Sequence, residues 1–358
     1  MGSSVQLLPL PASIVLETPA VLRQLARAHR QLAELKGAAG TIPNEAILIS
    51  TLALREAKDS SEIENIITTD DELFQGDATA SLFASVAAKE VHSYAAALKL
   101  GFERVRAQKF LRLDDVLAIQ STLLESRTGL RTLPGTVLKN RETGAVIYTP
   151  PQEAEEIQRL TGNFLEYFHQ SDEPGGHDPL VRMAVLHHQF ESIHPFYDGN
   201  GRTGRILNLL HLVLHGLLDL PVLYLSRYIV RHKADYYHLL QTVRDTGNWE
   251  AWVLYMLRAV EETSRQTVAQ VHGIRELMQA TKQRLRSEQP KLYSQDLLNN
   301  LFRHPYTKIE FIERDLNVSR PTAAKYAEGL TQAGFVRKVK LGRTNFYIND
   351  PLFKLLAS

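Results

Sequence analysis

The 358-residue sequence contains no cysteine, and it has no long apolar run. Without cysteine the chain cannot form a disulfide, a thiolate zinc site or a cysteine nucleophile, which is typical of proteins in a reducing cytosol. No apolar run reaches the roughly 20 residues that a membrane-spanning helix needs. The N-terminus has no basic segment ahead of its apolar residues, so it does not resemble a signal peptide. We therefore expect a cytoplasmic protein with no membrane partner.

The sequence also lacks a strong excess of charge of either sign. Its 41 Lys and Arg residues nearly balance its 40 Asp and Glu residues, which leaves a net charge of +1 at pH 7. A balance this small gives no global attraction to nucleic acid. Hydrophobic residues make up 44% of the chain and charged residues 23%. We therefore expect an ordinary globular protein with about two or three domains.

Helical periodicity dominates the sequence. Apolar residues recur at the spacing of amphipathic helices, and Gly or Pro separates many of the segments. We expect a polar break at residues 68–72 and a linker at residues 287–290. The pattern predicts a mainly α fold, with helices over residues 20–35, 43–57, 78–100, 103–125, 154–170, 180–193, 206–214, from 235 onward, and 249–286.

Residues 136–149 depart from this helical pattern. Short β-type runs at residues 136–138 and 145–149 flank a polar segment that contains Thr143 and Gly144, where a hairpin would reverse. A lone hairpin is marginally stable in water. We therefore expect it either to rest on the helices or to offer its edge to a partner strand.

The last segment of the chain combines short helices with strands. A helix at residues 309–316, a turn and a second helix capped by Ser319 are followed by strands at residues 335–339 and 345–348. This order predicts a small C-terminal winged helix-turn-helix domain. Basic residues outnumber acidic ones within residues 303–343. Winged helices bind DNA or dock proteins, so contact with DNA and contact with a protein both stay open.

The most distinctive segment is the polar stretch at residues 194–205, with the sequence HPFYDGNGRTGR. It lies between the predicted helices at residues 180–193 and 206–214, so it forms a loop that ends at a helix N-terminus. The unpaired backbone N–H groups and partial positive charge of such an N-terminus accept phosphate. Arg202 and Arg205 add guanidinium groups that suit phosphate oxygens.

Four further residues of this loop carry chemistry. Gly199 and Gly201 let the backbone approach an anion closely. Asp198 offers a hard oxygen ligand that suits Mg²⁺. His194 can be neutral near pH 7, so it can take a proton from an incoming hydroxyl. The combination predicts attack by a hydroxyl group on a bound phosphate.

Residues 194–205 resemble the signature of the Fic family, His-Pro-Phe-x-Asp-Gly-Asn-Gly-Arg-x-x-Arg, and match it at every fixed position. The resemblance implies a helical Fic core and a protein adenylyltransferase activity. Such a nucleotidyltransferase transfers AMP from ATP to a Ser, Thr or Tyr hydroxyl of a target protein, or of itself, and releases pyrophosphate. ATP is then the substrate, and Mg²⁺ or Mn²⁺ is the metal cofactor.

The resemblance also implies roles for individual residues. His194 is the general base, and Asp198 holds the metal ion. The implied ATP-binding residues are Gly199, Asn200, Gly201, Arg202, Arg205, Tyr237 and Leu240. The first three form an anion hole, and the last two line the adenine pocket. Arg202 contacts the phosphates in general, and Arg205 contacts the γ-phosphate.

The hairpin at residues 136–149 resembles the flap of the same family. The flap clamps the segment of the target that carries the hydroxyl, and it does so by strand pairing. The resemblance implies that Ala145, Val146, Ile147 and Tyr148 dock the target.

A second element, Ser60-x-x-x-Glu64-Asn65, resembles the inhibitory motif of the family. The implied inhibitory helix covers about residues 44–66. A carboxylate brought to Arg205 would satisfy its guanidinium group and occupy the place of the γ-phosphate. ATP could then bind only in a non-productive pose, so the resemblance implies autoinhibition by Glu64.

The resemblance divides the chain into three parts and leaves alternatives open. The parts are an N-terminal helical region at residues 1–105, a catalytic core at residues 106–286 and the winged helix at residues 287–358. Family habit implies a homodimer. One alternative is a hydrolase that uses Glu64 to remove AMP from a target. The other is a DNA-binding regulator whose core senses a nucleotide.

Overall fold

The protein is mainly helical, as the sequence predicts. No described helix combines the length and the apolar composition that crossing a membrane requires. The computed structural model describes residues 7, 9–10, 14–78, 85–127, 129–140, 143–170, 176–341 and 344–357.

The N-terminal region contains the helices α1 (Pro19–Ala39), α2 (Glu45–Ile63), α3 (Asp70–Ala78), α4 (Val86–Gln108) and α5 (Leu113–Leu124). The expected break at residues 68–72 is present at residues 64–69, and it ends earlier than predicted because the Glu72 carboxylate accepts the backbone N–H of Thr69 at the start of α3. The expected helix over residues 103–125 is divided between the end of α4 and α5. Lys109 adopts a left-handed conformation with a φ of 53°, which ends α4 before α5 begins.

The central region contains α6 (Ala154–Phe168), α7 (Pro179–Ile193), α8 (Asn200–Leu214), α9 (Leu225–Arg231), α10 (Lys233–Thr246) and α11 (Glu250–Glu288). Helix α7 packs against α6, α8 and α11, and its residues 180–193 are all buried. A helix enclosed on all sides holds its last residue in a fixed place. That residue precedes the polar loop that connects α7 to α8. The loop covers residues 194–199 and not 194–205 as predicted, because α8 begins at Asn200.

Two features of this region differ from the prediction. The short helix α9 was not predicted, and it packs against α2 and α11. Helix α11 runs on to Glu288, so the first two residues of the expected linker at residues 287–290 are helical.

The predicted hairpin forms between β1 (Leu138–Lys139) and β2 (Val146–Tyr148), which pair antiparallel. Leu138 lies opposite Tyr148, and Lys139 lies opposite Val146. Residues 141–142 of the connecting loop lie outside the described residues.

The C-terminal region contains α12 (Gln295–Arg303), β3 (Tyr306–Thr307), α13 (Ile309–Leu316), α14 (Arg320–Gln332), β4 (Arg337–Leu341), β5 (Thr344–Ile348) and α15 (Asp350–Ala357). The two helices and the β4–β5 ribbon follow the predicted order. Residues 342–343, which connect the two strands of the ribbon, lie outside the described residues. Elements α12, β3 and α15 were not predicted. Strand β3 extends the ribbon into an antiparallel sheet of order β3-β5-β4, α12 contacts α2, and α15 contacts α11.

Candidate functional site

His194 ends helix α7 in a left-handed backbone conformation, with a φ of 49° and a ψ of 58°. Its backbone N–H still donates to the carbonyl of Phe190 at 2.9 Å, which closes the last turn of the helix. A non-glycine residue in this region costs on the order of 1 kcal/mol or more, so the surrounding contacts must hold it there.

Arg131 supplies those contacts, although it lies 63 residues earlier in the chain. Its buried guanidinium group donates to the carbonyls of His194 at 2.7 Å, of Ile193 at 3.2 Å and of Pro151. Its backbone N–H donates to the carbonyl of Pro195 at 2.9 Å. Arg131 thus joins the end of α7 to the end of the hairpin segment. The sequence analysis missed it, because no local pattern marks such a long-range contact.

The ring of His194 is neutral near pH 7. Burial of the ring and the nearby charges of Arg131 and Arg244 lower the pKa of His194 to about 4. Its Nδ1 atom is buried and has no hydrogen-bond partner among the described residues. The imidazole is therefore neutral at pH 7, which is the form that a general base requires.

Asn200 holds the loop between α7 and α8 closed. Its Oδ1 accepts the backbone N–H of Phe196 at 2.9 Å, and its Nδ2 donates to the carbonyl of the same residue at 2.8 Å. Phe196 itself is buried. The side chain of Asn200 is thus committed to the loop, so this residue offers only its backbone N–H to an anion.

The N-terminus of α8 presents backbone donors that the helix itself does not use. The N–H of Thr203 is bonded back to Gly199, whereas those of Asn200, Gly201 and Arg202 have no acceptor within the helix. Gly199 has a φ of 77°, and a β-carbon there would lie 3.3 Å from Leu123, so the tight entry to the helix favours glycine. Such an N-terminus suits a phosphate group.

These donors face a cavity of about 690 Å³. His194 and Asp198 lie on its wall together with the first residues of α8. The end of α2, the hairpin and helix α10 form other parts of the wall. A volume of this size is typical of sites for small molecules such as nucleotides.

Arg205 is buried beneath this N-terminus and is held by the end of α2. Its Nε donates to the Ser60 hydroxyl at 2.7 Å, and its Nη2 donates to the Ser60 carbonyl at 3.0 Å. The same Nη2 lies 3.1 Å from Oε1 of Glu64. Ser60 is buried and Glu64 is 28% exposed, so the contact is partly protected from solvent.

The Glu64 carboxylate lies directly over the start of α8. A β-carbon on Gly201 would collide with its Oε1 atom, so the carboxylate rests against the glycine backbone. Asn65 follows in a left-handed conformation with a φ of 63°, and its Oδ1 accepts Nζ of Lys233 at 3.0 Å. An acidic side chain therefore occupies the place where the helix N-terminus would receive an anion.

Asp198 points its carboxylate into the cavity, with 74% of its side chain exposed. Its Oδ1 accepts the backbone N–H of Gly199 at 2.6 Å. Among the described residues, no group of three His, Cys, Asp or Glu side chains could hold a metal ion. Mg²⁺ commonly takes one or two carboxylates together with phosphate oxygens and water. An open, single carboxylate beside a phosphate cradle fits that habit.

Arg202 is also held by a carboxylate. Its Nη1 lies 2.8 Å from Oε2 of Glu90 on α4, and its Nη2 lies 3.7 Å from Oδ1 of Asp198. The sequence analysis missed Glu90, which lies 112 residues earlier and in no recognisable motif.

Three of the four expected docking residues of the hairpin, Ala145, Val146 and Ile147, are exposed. Tyr148 differs, because its side chain is buried and its hydroxyl donates to the carbonyl of Ser192 at 3.0 Å. The guanidinium group of Arg244 lies 4.2 Å from the centre of its ring. The Tyr148 side chain therefore anchors the hairpin to the core and is not available to a target.

The two residues expected at the adenine pocket lie in different places. Tyr237 is exposed and lies on the cavity wall. Leu240 is buried, and its carbonyl bonds to Nε2 of His188 at 3.1 Å. The expectation for Leu240 is wrong, because the neighbouring Gln241 lines the cavity and the buried Leu240 does not.

Three family models match successive parts of the chain. The N-terminal model of the Fic/DOC family matches residues 22–103, and the Fic/DOC family model matches residues 110–212. The C-terminal domain of SoFic-like protein adenylyltransferases matches residues 277–352. The chain belongs to the Fic family. The three models leave residues 213–276 unmatched, which include α9, α10 and most of α11.

Curated Fic relatives match parts of the chain. A protein adenylyltransferase from Caenorhabditis briggsae is 36% identical over 84 residues, which are 24% of this chain and 15% of the relative. A probable protein adenylyltransferase from Aquifex aeolicus is 35% identical over 89 residues, which are 20% of this chain and 28% of the relative. One from Nematostella vectensis is 26% identical over 161 residues, which are 44% of this chain and 34% of the relative. The chain thus spans well under two thirds of each.

Solved structures share the Fic fold. A Fic family protein from Desulfovibrio desulfuricans superposes with a TM-score of 0.59 at 20% identity, covering 96% of this chain and 98% of the other. Residues 134–508 of Fic-1 from Caenorhabditis elegans superpose with a TM-score of 0.54 at 20% identity, covering 70% and 73% of the two chains. At this identity the likeness concerns the fold alone.

Proposed function

We propose that this Fic protein is a protein adenylyltransferase that transfers AMP from ATP to a Ser, Thr or Tyr hydroxyl of a target protein. The observation that carries the proposal is the neutral imidazole of His194 on the wall of a cavity whose floor is the N-terminus of α8. A base and an anion cradle facing the same space suit the attack of a hydroxyl on a phosphate. The names of the matched relatives support the same activity.

In the proposed reaction, the oxygen of the target hydroxyl attacks the α-phosphorus of ATP, and His194 takes the hydroxyl proton. The bond from the α-phosphorus to the bridging oxygen breaks, and pyrophosphate leaves. The backbone N–H groups at the start of α8 and the guanidinium groups of Arg202 and Arg205 stabilise the negative charge of the phosphates. Most of the catalysis is then positioning and electrostatics, which rigid elements such as α7 and α8 supply.

Asp198 would hold Mg²⁺ or Mn²⁺, which supplies charge neutralisation to the phosphate oxygens when bound. The carboxylate is exposed in the cavity and close to the anion cradle, so it is free to serve this purpose.

The hairpin would position the target. Val146 and Ile147 are exposed on β2, and Ile147 also lies on the cavity wall. The short sheet has free edges, so a strand of the target can pair with it next to His194. The Tyr148 side chain keeps the hairpin in place through its contacts with Ser192 and Arg244.

The proposed enzyme is autoinhibited by Glu64. The Glu64 carboxylate pairs with Arg205 at 3.1 Å and lies against the backbone of Gly201. It therefore occupies the position that the terminal phosphate of ATP would need. ATP that binds with Glu64 in place must leave its γ-phosphate elsewhere, and its α-phosphate is then not aligned with the incoming hydroxyl. Displacement of Glu64 would relieve the inhibition.

The test uses ATP labelled in its α- or its γ-phosphate, with Glu64→Gly as the parent enzyme. We expect Glu64→Gly to incorporate the α-label into itself or a target more than the unaltered protein does, and to incorporate no γ-label. Adding His194→Ala should abolish the signal, whereas His272→Ala, which lies on α11 away from the cavity, should not. Undiminished α-labelling by the His194→Ala variant would disprove the assignment.

A second function is supported by the same contact. The Glu64 carboxylate in the cavity can orient a water molecule toward the phosphorus of an AMP-modified side chain, which would reverse the modification. Incubation of an AMP-modified target with the unaltered protein and with Glu64→Gly separates the two. Release of AMP by the unaltered protein alone would favour the hydrolase.

Four predictions from the sequence stay predictions. They are the domain boundaries at residues 105/106 and 286/287, a homodimer, a cytoplasmic location and a winged-helix role for the C-terminal region. Arg320, Arg337 and Lys338 in that region each pair with a carboxylate, which does not favour DNA binding over protein docking.

A further inference from the structure

Arg202 and Glu90 form an ion pair on the wall of the cavity. The Arg202 side chain is 5% exposed and that of Glu90 is 36% exposed, and the two groups are 2.8 Å apart. Both residues line the cavity that would receive ATP. The pair joins α4 of the N-terminal region to α8 of the core, and Glu90 has no role in the mechanism above.

Glu90 engages only one side of the Arg202 guanidinium group. Nη1 donates to Glu90, whereas Nε is buried and has no hydrogen-bond partner among the described residues. Nη2 lies 3.7 Å from Asp198, which is longer than a hydrogen bond. The side of the group that carries Nε and Nη2 therefore keeps donors for a phosphate, and the contact with Glu90 decides which way that side faces.

The charge of Glu90 acts in the opposite sense. A carboxylate on the wall of a cavity built for a phosphate chain repels that chain, and the repulsion is stronger in a partly buried site than in water. It also neutralises part of the charge with which Arg202 would attract the ligand.

We infer that Glu90 is a specificity-determining residue of the nucleotide site, because its hydrogen bond orients Arg202 and its charge lowers the affinity for a phosphate chain. This inference rests on the proposed function, since it takes ATP as the ligand. It assigns two separable effects to one side chain, and the two effects respond differently to substitution.

Two substitutions separate the effects. Glu90→Gln keeps an amide oxygen that can accept from Nη1 of Arg202 but removes the charge. Glu90→Ala removes both the charge and the hydrogen bond. Glu103→Gln is the matched control, because Glu103 lies on the same helix in an exposed ion pair with Lys99. All three are made in the Glu64→Gly protein, so that the inhibitory carboxylate does not compete.

The affinities of α,β-methylene-ATP and of AMP are measured by calorimetry, and kcat is measured by α-label incorporation. We expect Glu90→Gln to bind α,β-methylene-ATP about three- to tenfold more tightly and AMP less than about twofold more tightly, because AMP lacks the outer phosphates. Glu103→Gln should leave both affinities unchanged. Glu90→Ala should lose at least about threefold in kcat relative to Glu90→Gln, because Arg202 is no longer oriented.

Two results would overturn the inference. One is an affinity of Glu90→Gln for α,β-methylene-ATP that is unchanged or weaker than that of the parent. The other is an equal change for AMP, which would indicate a merely structural effect. Binding and label transfer by the parent Glu64→Gly protein distinguish a failure of this inference from a failure of the proposed function. If Glu64→Gly binds α,β-methylene-ATP but transfers no label from ATP, the function is wrong, whereas the effect of Glu90 is still read from the binding constants.

Discussion

Replacing Glu64 by glutamine keeps the size of the side chain and removes its charge. In the protein, Oε1 of Glu64 accepts Nη2 of Arg205 at 3.1 Å, and the guanidinium group is buried. A hydrogen bond between two charged groups contributes roughly twice as much free energy as one with a neutral partner. The substitution therefore weakens the contact between residue 64 and Arg205 by about 1–2 kcal/mol. Because Glu64 competes with the γ-phosphate for Arg205, the kcat/KM for ATP should rise about five- to thirtyfold. Glu64→Gly, which removes the whole contact, should raise it further.

The assay measures the initial rate of α-label incorporation against ATP concentration. The unaltered protein, Glu64→Gln and Glu64→Gly are compared with Glu62→Gln, a control on the same helix two residues earlier. The expected order of kcat/KM places the unaltered protein and the control lowest, Glu64→Gln intermediate and Glu64→Gly highest. Our reasoning is refuted if Glu64→Gln behaves like the unaltered protein while Glu64→Gly is active, because the bulk of the side chain, and not its charge, would then block the site.

Two further predictions concern residues that hold the site together. Arg131→Met leaves the carbonyls of Ile193, His194 and Pro151 without their donor, so we expect a loss of at least about 2 kcal/mol in urea unfolding and loss of label transfer; a change below about 0.5 kcal/mol would contradict this. Burial raises the pKa of Glu56 to about 8 from an ordinary value of 4.5, so the folded protein binds this proton more tightly and unfolding free energy should fall as pH rises between these values. Calorimetric melting of Glu56→Gln should show a weaker decline from pH 5 to pH 8, and equal declines would count against the assignment.

The central loop could be predicted because its information is contiguous. Two helical periodicities flank residues 194–205, and α7 ends at Ile193 as predicted, but α8 begins at Asn200, so only residues 194–199 form the loop. The contact of Glu64 with Arg205 was expected from two separate patterns, and it is present at 3.1 Å. In both cases the residue types alone indicate the chemistry of the site.

The contacts that support the loop could not be predicted. Arg131 and Glu90 belong to no local pattern, and each acts on residues far away in the chain, so only the packed structure reveals them. Asn200 could be assigned to the loop, but its use of both amide atoms on Phe196 depends on the exact turn. Two side chains on regular elements were assigned to the site although they are buried, because the sequence of a short segment does not indicate which of its faces meets the core.

The expected roles of Tyr148 and Leu240 illustrate this last point. Tyr148 is the buried residue of β2, whereas Val146 and Ile147 before it are exposed, so the strand meets the core only at its end. Leu240 lies three positions after Tyr237 on α10, where a small rotation of the helix decides whether a residue faces the cavity. The sequence predicts the strand and the helix, but it does not indicate which face of each element points toward the cavity.

The central proposal is that AMP passes from ATP to a hydroxyl, with His194 as the general base, when Glu64 is displaced. Intact-protein mass spectrometry tests it directly, on the unaltered protein, on Glu64→Gly and on Glu64→Gly with His194→Ala, each incubated with ATP and Mg²⁺. The account predicts that Glu64→Gly gains the mass of AMP, that the unaltered protein gains little and that the double variant gains none. An unmodified Glu64→Gly protein that also fails to modify proteins of a cell extract, or a double variant that is modified equally, would contradict it.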